Sequence, residues 1–265
     1  MYISKDAIVN GYNEYIALES PNGRLALMDV GLLVLDAGEK FCFEESHKEI
    51  AILLLDGKSK YKWNSNCIEA KRGNPFDDNS WCLHAPSGVK CEIEAIEHSE
   101  FYIQKSVNAT IFEAHLYTPE ETLTQRAGDS GELGGTMRRN IRTIFDYSNA
   151  PYSTMVLGEV VNFPGKWSSY PPHYHPQPEV YFYRYDKPQG FGAGFANGNI
   201  YETHHNGLLL ITDQFHSQTA APGYALCYVW GIRHLDNDPW IKTRIDVEEH
   251  TWMLESNPVI WTEKE

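Results

Sequence analysis

Short apolar and aromatic runs alternate with clusters of turn-forming residues along the whole chain. The clearest runs are GLLVLDAG, EIAILLLDGKS, EVYFYRYDKPQG, NGLLLITD and YALCYVWGI. Runs of this length, rich in β-branched and aromatic residues and bounded by Gly, Pro, Asn and Asp, are typical of strands. Residues 119–125 and 137–144 are the best candidates for helix, but no amphipathic 3.6-residue pattern exceeds about three turns. The pattern therefore predicts a mostly β fold.

The strand-like runs fall into two halves. Residues 125–137 are Gly-rich and almost devoid of large apolar side chains, which predicts a linker or surface loop between the halves. Glu49 opens one run with His84 following 35 residues later, and Glu179 opens another with His216 following 37 residues later. Two copies of one small β barrel would explain these offsets. The alternative is a chance match between two β halves of similar length.

Composition and charge narrow the class of protein. Of the 265 residues, 42% are hydrophobic and 22% are charged, which is typical of a folded globular chain and excludes disorder. The net charge of −14 predicts that neither nucleic acid nor an anionic membrane is a partner. No apolar stretch is long enough to span a membrane, and the N-terminus does not resemble a signal peptide. We therefore expect a cytoplasmic protein whose five cysteines are reduced.

The strongest chemical signal is the segment PPHYHPQPEVYFY at residues 171–183. Side chains of an extended segment alternate between its two faces, so His173 and His175 share a face. Glu179 has the same parity, although a Pro-Gln-Pro turn lies between. With His216, three imidazoles and one carboxylate would suit Zn²⁺, Mn²⁺, Fe²⁺ or Ni²⁺. The four residues are therefore predicted metal ligands, with structural histidines as the alternative interpretation.

The same segment resembles known families. HxH, Glu and a later His form the two-motif pattern of cupins, and residues 156–252 resemble the 5-deoxyglucuronate isomerase family of inositol catabolism. The matching strings are GEVVNFPGKWSSYPPHYH, EVYFYR, PQGF and APGY, with RRNIRTI and LHAPSGVKCEIEA upstream. The short spacing between His175 and Glu179, the string FHSQ and the strand YVWGI are more similar to a sister family, the 5-keto-4-deoxyuronate isomerases of pectin breakdown.

The resemblance implies an all-β, double-stranded β-helix (cupin) fold with two barrels in one chain, a bicupin. The expected units are a degenerate first barrel at residues 1–124, the linker at 125–137 and a metal-binding second barrel at 138–265. In the first half, the HxHxxxE offsets counted back from Glu49 fall on Phe43 and Glu45. Because both imidazoles are missing there, we expect no metal in the first barrel and a structural role for it.

The resemblance also implies an activity, metal-dependent interconversion of an aldose and a ketose form of a deoxy sugar acid. The expected reaction converts 5-deoxy-glucuronate to 5-dehydro-2-deoxy-gluconate in myo-inositol catabolism, with Zn²⁺ or Mn²⁺ preferred and Fe²⁺ or Ni²⁺ as alternatives. The competing hypotheses are a 5-keto-4-deoxyuronate isomerase, an iron-dependent cupin dioxygenase and a non-enzymatic sugar-binding barrel. The expected partners are the small sugar acid and, through exposed β edges, further copies of the chain.

Two residues are candidates for proton transfer. Strand parity continued from Glu179 places Tyr181 and Tyr183 inside the barrel, where a phenol can line the cavity or relay a proton. Tyr183 is the candidate relay, with a role as cavity wall as the alternative. Glu202 is the candidate base, and its alternative is a solvated acid at a strand end.

A sugar acid also needs a cation for its carboxylate, usually a bidentate arginine. Arg139 and Lys166 are the candidates because both lie in segments that resemble the family. Tyr170 precedes the histidine motif and is predicted to line the mouth of the pocket. Arg184 has the opposite parity to Tyr183, so we expect it to point away from the cavity toward an interface or the surface.

Overall fold

Strands make up nearly all the regular structure. The structure is a computed structural model that describes residues 1–212 and 215–263. The first half contains β1 (Tyr2–Ile3), β2 (Gly11–Ile16), α1 (Pro21–Ala26), β3 (Asp29–Leu35), β4 (Lys40–Glu44), β5 (Lys48–Trp63), β6 (Asn66–Arg72), β7 (Trp81–Ala85), β8 (Lys90–Ala95), β9 (Ser99–Val107) and β10 (His115–Tyr117). The second half contains β11 (Leu123–Ala127), α2 (Glu132–Gly135), β12 (Arg139–Phe145), β13 (Met155–Asn162), β14 (Trp167–Tyr174), β15 (Glu179–Tyr185), β16 (Phe191–Ala196), β17 (Asn199–His204), β18 (Leu208–Ile211), β19 (His216–Ala220), β20 (Leu226–Arg233), β21 (Ile245–Asp246) and the 3₁₀ helix Glu248–Leu254. The predicted mostly β fold is confirmed.

The two halves share one pattern of strand pairing. β3 pairs with β2 and β9, as β13 pairs with β12 and β20. The first part of β5 pairs with β7 and β9, as β15 pairs with β18 and β20. The second part of β5 pairs with β6 and β8, as β16 pairs with β17 and β19. β4 pairs with β8, as β14 pairs with β19. The two halves therefore share strand connectivity over these elements, and the count of two barrels stays a prediction.

The predicted domain bounds stay a prediction, and two strands cross them. β1 pairs with β18 of the second half, and β11 spans the expected boundary at residue 124 and pairs with β12. The predicted linker, 125–137, contains the end of β11 and all of α2. The last predicted unit also includes residues 213, 214, 264 and 265, which lie outside the described residues.

Both candidate helices are wrong. Residues 123–127 and 139–145 form the paired strands β11 and β12, because the β11–β12 and β12–β13 ladder hydrogen bonds outweigh the weak local preference for helix. Among the described residues, no helix combines the length and apolar character that crossing a membrane requires.

Side chains pack into three apolar clusters. One lies within the first half and includes Phe43, Ile50 and Ile52, and another lies within the second half around Tyr183. The third joins the halves: β3, β5 and β9 pack against β13, β15, β18 and β20. The members of this inter-half core include Val30, Leu32, Ala51, Leu53, Tyr102, Leu157, Val180, Phe182, Leu208 and Val229. The halves are thus held together by a continuous apolar contact.

Buried ion pairs cross the same interface. Both guanidinium Nη atoms of Arg72, on β6, donate to the two carboxylate oxygens of Glu159, on β13, at 2.8 Å. Ser80 Oγ donates to the same carboxylate at 2.8 Å, and neither side chain of the ion pair is exposed. Arg184 binds Asp56 and Glu100 of the first half, so it points away from the second half's interior as predicted.

Glu49 and His84 are not the counterparts of Glu179 and His216. Ile50 and Ile52 face the first half's own core, whereas Ala51, with the same parity as Glu49, faces the inter-half core. His84 lies on β7, the counterpart of β18, whereas His216 begins β19. The similar offsets of 35 and 37 residues therefore do not mark equivalent positions. A shift of one residue along a strand moves a side chain to the other face, as it does for Glu49.

Glu49 instead joins the two halves. Its carboxylate accepts hydrogen bonds from the backbone N–H of Thr154 at 2.7 Å and from Ser153 Oγ at 3.0 Å, and it lies 2.9 Å from His84 Nε2. Burial by itself would raise the pKa of Glu49, but the contacts with His84 and Thr154 outweigh it and hold the pKa below its ordinary value. This carboxylate serves the contact between the halves.

The Arg72–Glu159 pair generates a prediction about stability. Glu159→Gln leaves the buried Arg72 without its anionic partner, so we expect the free energy of unfolding to fall by about 3–5 kcal/mol. Urea denaturation followed by circular dichroism measures the change. The control is Glu69→Gln, which removes an exposed partner of Lys58 and is expected to change stability little. An unchanged midpoint for Glu159→Gln would contradict the assignment.

Candidate metal centre

The predicted metal ligands lie where three strands of the second half meet. His173 lies on β14 and His175 directly follows that strand, while Glu179 and His216 are the first residues of β15 and β19. His173 and His216 are opposite each other in the β14–β19 ladder. Because strand ends of neighbouring sheets meet here, residues distant in sequence share one end of the second half.

Three of the four predicted ligands form one buried group. His175 Nε2 and His216 Nε2 lie 3.3 and 3.4 Å from Glu179 Oε2, and one ligand atom from each residue lies within 4.8 Å of the others. His173 lies beside the group, with its ring centroid 4.5 Å from that of His216. We call His175, Glu179 and His216 the donor group.

Hydrogen bonds fix which nitrogen of two imidazoles is available. His175 Nδ1 lies 2.9 Å from the carbonyl oxygen of Gln177, and His173 Nδ1 lies 3.0 Å from that of Pro171. Because a carbonyl only accepts, each Nδ1 carries a proton, which leaves Nε2 as the nitrogen of each ring that can bind a metal. Burial, reinforced by Arg244, lowers the pKa of His173 to about 4, so this imidazole is neutral at neutral pH.

The donor group fits a divalent metal ion. Glu179 Oε2 is buried and accepts no hydrogen bond from any described residue. A buried carboxylate oxygen without a donor is costly, and a cation among two imidazoles would compensate it. Imidazole nitrogens and a carboxylate oxygen suit Zn²⁺, Mn²⁺, Fe²⁺ or Ni²⁺, and this set of donors does not choose among the four.

A cavity of about 310 Å³ opens beside the donor group. His173, His175 and Glu179 contribute to its wall, as do two residues predicted to contact substrate, Arg139 and Tyr181. Further lining residues are Ile141, Val160, Ser169, Tyr228, Trp230, Ile232, Trp240, Lys242 and Arg244. The cavity is thus apolar on some sides and carries three cationic side chains.

Several lining residues were missed from the sequence. Tyr228, Trp230 and Ile232 alternate along β20, so the two-residue period of YVWGI contains the signal that could have found them. Trp240 and Arg244 follow β20 in a segment without a clear pattern. They reach the cavity because β21 pairs with β14, a contact that local sequence does not encode.

Two predicted catalytic residues lie outside the cavity. Tyr183 is fully buried, and its hydroxyl donates to Gln218 Oε1 at 2.5 Å. Glu202 lies on the edge strand β17, and its side chain is 66% exposed beside His204. The structure therefore places Tyr183 in the packed core of the second half, behind the cavity wall, and gives Glu202 its alternative role of a solvated acid at a strand edge.

Two predicted substrate-binding residues also lie outside the lining. Lys166 occupies the turn between β13 and β14, where its carbonyl oxygen accepts hydrogen bonds. Tyr170 packs against Trp167, with ring centroids 5.6 Å apart. The ladder of β14 is irregular between Ser168 and His173, so Ser169 rather than Tyr170 faces the cavity.

Two tyrosines and two serines form a hydroxyl cluster in the cavity wall. Tyr228 Oη donates to Ser168 Oγ at 2.9 Å, and Tyr181 Oη lies 3.1 Å from Ser169 Oγ. Burial raises the pKa of Tyr228 to about 12 and the pKa of Tyr181 well above its ordinary value. Both phenols therefore stay protonated at neutral pH and act as hydrogen-bond donors.

The fold and the donor group together define a cupin-type protein. An IolB-like protein from Salmonella typhimurium superposes with a TM-score of 0.86 at 18% identity, over 96% of this chain and 100% of that one. The oxalate decarboxylase of Lactobacillus farciminis superposes with a TM-score of 0.64 at 11% identity, over 92% and 86%. At these identities the likeness shows the fold alone.

The KduI/IolB family model matches residues 2–253, so the chain belongs to the KduI/IolB family. A protein of Geobacillus thermodenitrificans, named 5-deoxy-glucuronate isomerase, is 25% identical over 252 residues, 84% of each chain. A Bacillus subtilis protein of the same name is 22% identical over 196 residues, 69% of this chain and 70% of that one. The resemblance read from the motifs is confirmed, and the chain is an isomerase of this family.

The donor group generates a prediction about metal binding. Chelator-treated protein reloaded with Zn²⁺ or Mn²⁺ should retain about one ion per chain after gel filtration, because two imidazoles and a buried carboxylate converge. His175→Ala and Glu179→Gln should each lower this occupancy at least tenfold, as measured by mass spectrometry of the metal content. His204→Ala, an exposed histidine outside the cavity, is the matched control. Full occupancy in both cavity variants would refute the site.

Proposed function

We propose that this enzyme converts 5-deoxy-glucuronate to 5-dehydro-2-deoxy-gluconate, an aldose–ketose isomerisation in myo-inositol catabolism that requires a divalent metal ion. The observation that carries the proposal is the buried donor group, His175, Glu179 and His216, opening into a cavity with a cationic wall. The names of curated relatives that cover 84% of this chain support the substrate.

Aldose–ketose isomerisation moves a proton between adjacent carbons through an enediol, whose developing negative charge must be stabilised. A divalent ion held by the donor group, with His173 beside it, would polarise the substrate carbonyl and stabilise that charge. His175 is prepared for this role by its Nδ1 hydrogen bond, which orients the ring so that Nε2 faces Glu179. The chain therefore sets the orientation of its ligands before any ion binds.

The cavity walls control protons and water around the substrate. Tyr181 and Tyr228 hold protonated phenols, which can donate hydrogen bonds to substrate oxygens or deliver a proton to them. Ile141, Val160 and Ile232 supply apolar surface that excludes water from the reacting carbons. The cavity, at about 310 Å³, is within the usual range for a small ligand.

The proposal includes the setting of the reaction. We propose that the enzyme works in the cytoplasm on a small sugar acid, without nucleic acid or a membrane as partner. Assembly into a homo-oligomer through exposed β edges stays a prediction.

The deciding experiment follows sugar protons by NMR during incubation with 5-deoxy-glucuronate or with 5-keto-4-deoxyuronate. We expect metal-loaded protein to convert the first substrate and chelator-treated protein to lose this activity, with recovery when the metal is restored. Conversion of the second substrate alone would assign the enzyme to pectin breakdown instead. Inertness toward both, with bound iron and oxygen consumption, would favour the dioxygenase hypothesis.

The hydroxyl cluster generates a prediction about catalysis. Tyr228→Phe removes a proton donor but keeps the ring, so kcat should fall about 100-fold, with a smaller change in KM. Steady-state kinetics of the metal-loaded enzyme measure both constants. Tyr183→Phe is the matched control, since its phenol lies on a neighbouring strand but outside the cavity. Equal losses in the two variants would indicate a packing effect.

A further inference from the structure

The segment that follows β20 is fixed over the cavity. The backbone N–H of Trp240 donates to His234 Nδ1 at 2.9 Å. The Trp240 ring packs 5.8 Å from Trp230 and 6.0 Å from His175, measured between ring centroids. Asp246 on β21 is opposite His173 in the β14–β21 ladder. Residues 240–244 therefore form one wall of the cavity next to the donor group.

The three cationic residues that line the cavity differ in their partners. Lys242 Nζ lies 3.2 Å from Asp146, and Arg244 pairs with Asp246. No ion pair between described residues includes Arg139, whose Nη1 donates to the carbonyl oxygen of Met137 at 2.8 Å. Burial lowers the pKa of Arg139, and repulsion from the guanidinium of Arg244, which lines the same cavity, lowers it further. A carboxylate placed between them would remove this repulsion.

Two residues that line the cavity also have indole N–H groups without an acceptor among the described residues. Trp230 Nε1 and Trp240 Nε1 are buried, and neither donates to any described residue. Both rings line the cavity, and Trp230 is only 7% exposed. Buried indole N–H groups normally find an acceptor, so these positions predict oxygen atoms of a bound ligand.

We infer that Arg139 and Arg244, together with the indole N–H groups of Trp230 and Trp240, form the subsite that binds the carboxylate of the substrate. This inference rests on the proposed function and deepens it, because it names which group of the sugar acid these residues hold. Arg139 binds the carboxylate in bidentate fashion, and Arg244 neutralises its outer side. The subsite thereby selects sugar acids over neutral sugars.

Binding measurements test the subsite independently of turnover. Metal-loaded protein is titrated calorimetrically with D-glucuronate and with D-glucose, which lacks the carboxylate. Arg139→Gln should weaken glucuronate binding about 10- to 100-fold and leave glucose binding unchanged, since a hydrogen bond to a charged group is lost. Arg244→Gln and Trp230→Phe should have smaller effects of the same selectivity, and Arg139→Lys should recover part of the affinity.

The matched control is Arg138→Gln, which changes the charge equally at the adjacent residue. Arg138 is half exposed and pairs with Asp129 at 2.9 Å, so glucuronate binding should be unaffected. Circular dichroism confirms that each variant is folded. Equal losses for both sugars in Arg139→Gln, or no preference for glucuronate in the unmodified protein, would overturn the subsite.

The design separates failure of the subsite from failure of the proposed function. Acid-selective binding that Arg139→Gln abolishes, without conversion of 5-deoxy-glucuronate, would reject the proposed reaction and support the subsite. Conversion of 5-deoxy-glucuronate with an unchanged KM in Arg139→Gln would support the reaction and reject the subsite.

Discussion

The alternation of side chains along β15 is the constraint on which the structure depends. Glu179 and Tyr181 face the cavity, whereas Val180 and Phe182 pack into the core between the halves. One strand therefore supplies both a predicted metal ligand and the apolar contact with the first half. Because a slip of one residue would exchange the two faces, the position of the site and the packing of the interface are fixed together.

The first half acts on the site through this shared wall. It contributes no residue to the cavity lining, but its inter-half core supports β13, β15 and β20 from behind. Two buried polar contacts between the halves, Arg72 with Glu159 and Glu49 with Thr154, fix their relative position more closely than apolar packing alone does. Breaking such a buried pair is costly because one partner is left uncompensated. The first half therefore packs against the strands that carry the site without lining the cavity itself.

The cavity combines imidazoles of fixed orientation with a wall of cationic and indole side chains. Backbone carbonyls fix the orientation of the His173 and His175 imidazoles, and the segment after β20 supplies positive charge and the indole N–H of Trp240. Arg139 is partly buried and has no anionic partner among the described residues, an arrangement that costs stability and favours an anionic ligand. The features that are unfavourable for folding are thus the ones the proposed substrate would satisfy.

The sequence by itself determined the mostly β fold, and it predicted a shared face for His173, His175 and Glu179 and an inward direction for Tyr181, because alternation along a strand is a local property. His216 was added to the predicted ligands by its spacing after Glu179. The sequence also predicted that Arg184 points away from the cavity. Only the tertiary structure decided that Glu49 faces the second half, that an irregular ladder turns Tyr170 out of the cavity, and that Glu202 lies on an exposed edge. Arg244 and Trp240 reach the site only through the pairing of β21 with β14. These contacts join residues far apart in the chain, and a local sequence pattern does not specify which strands pair.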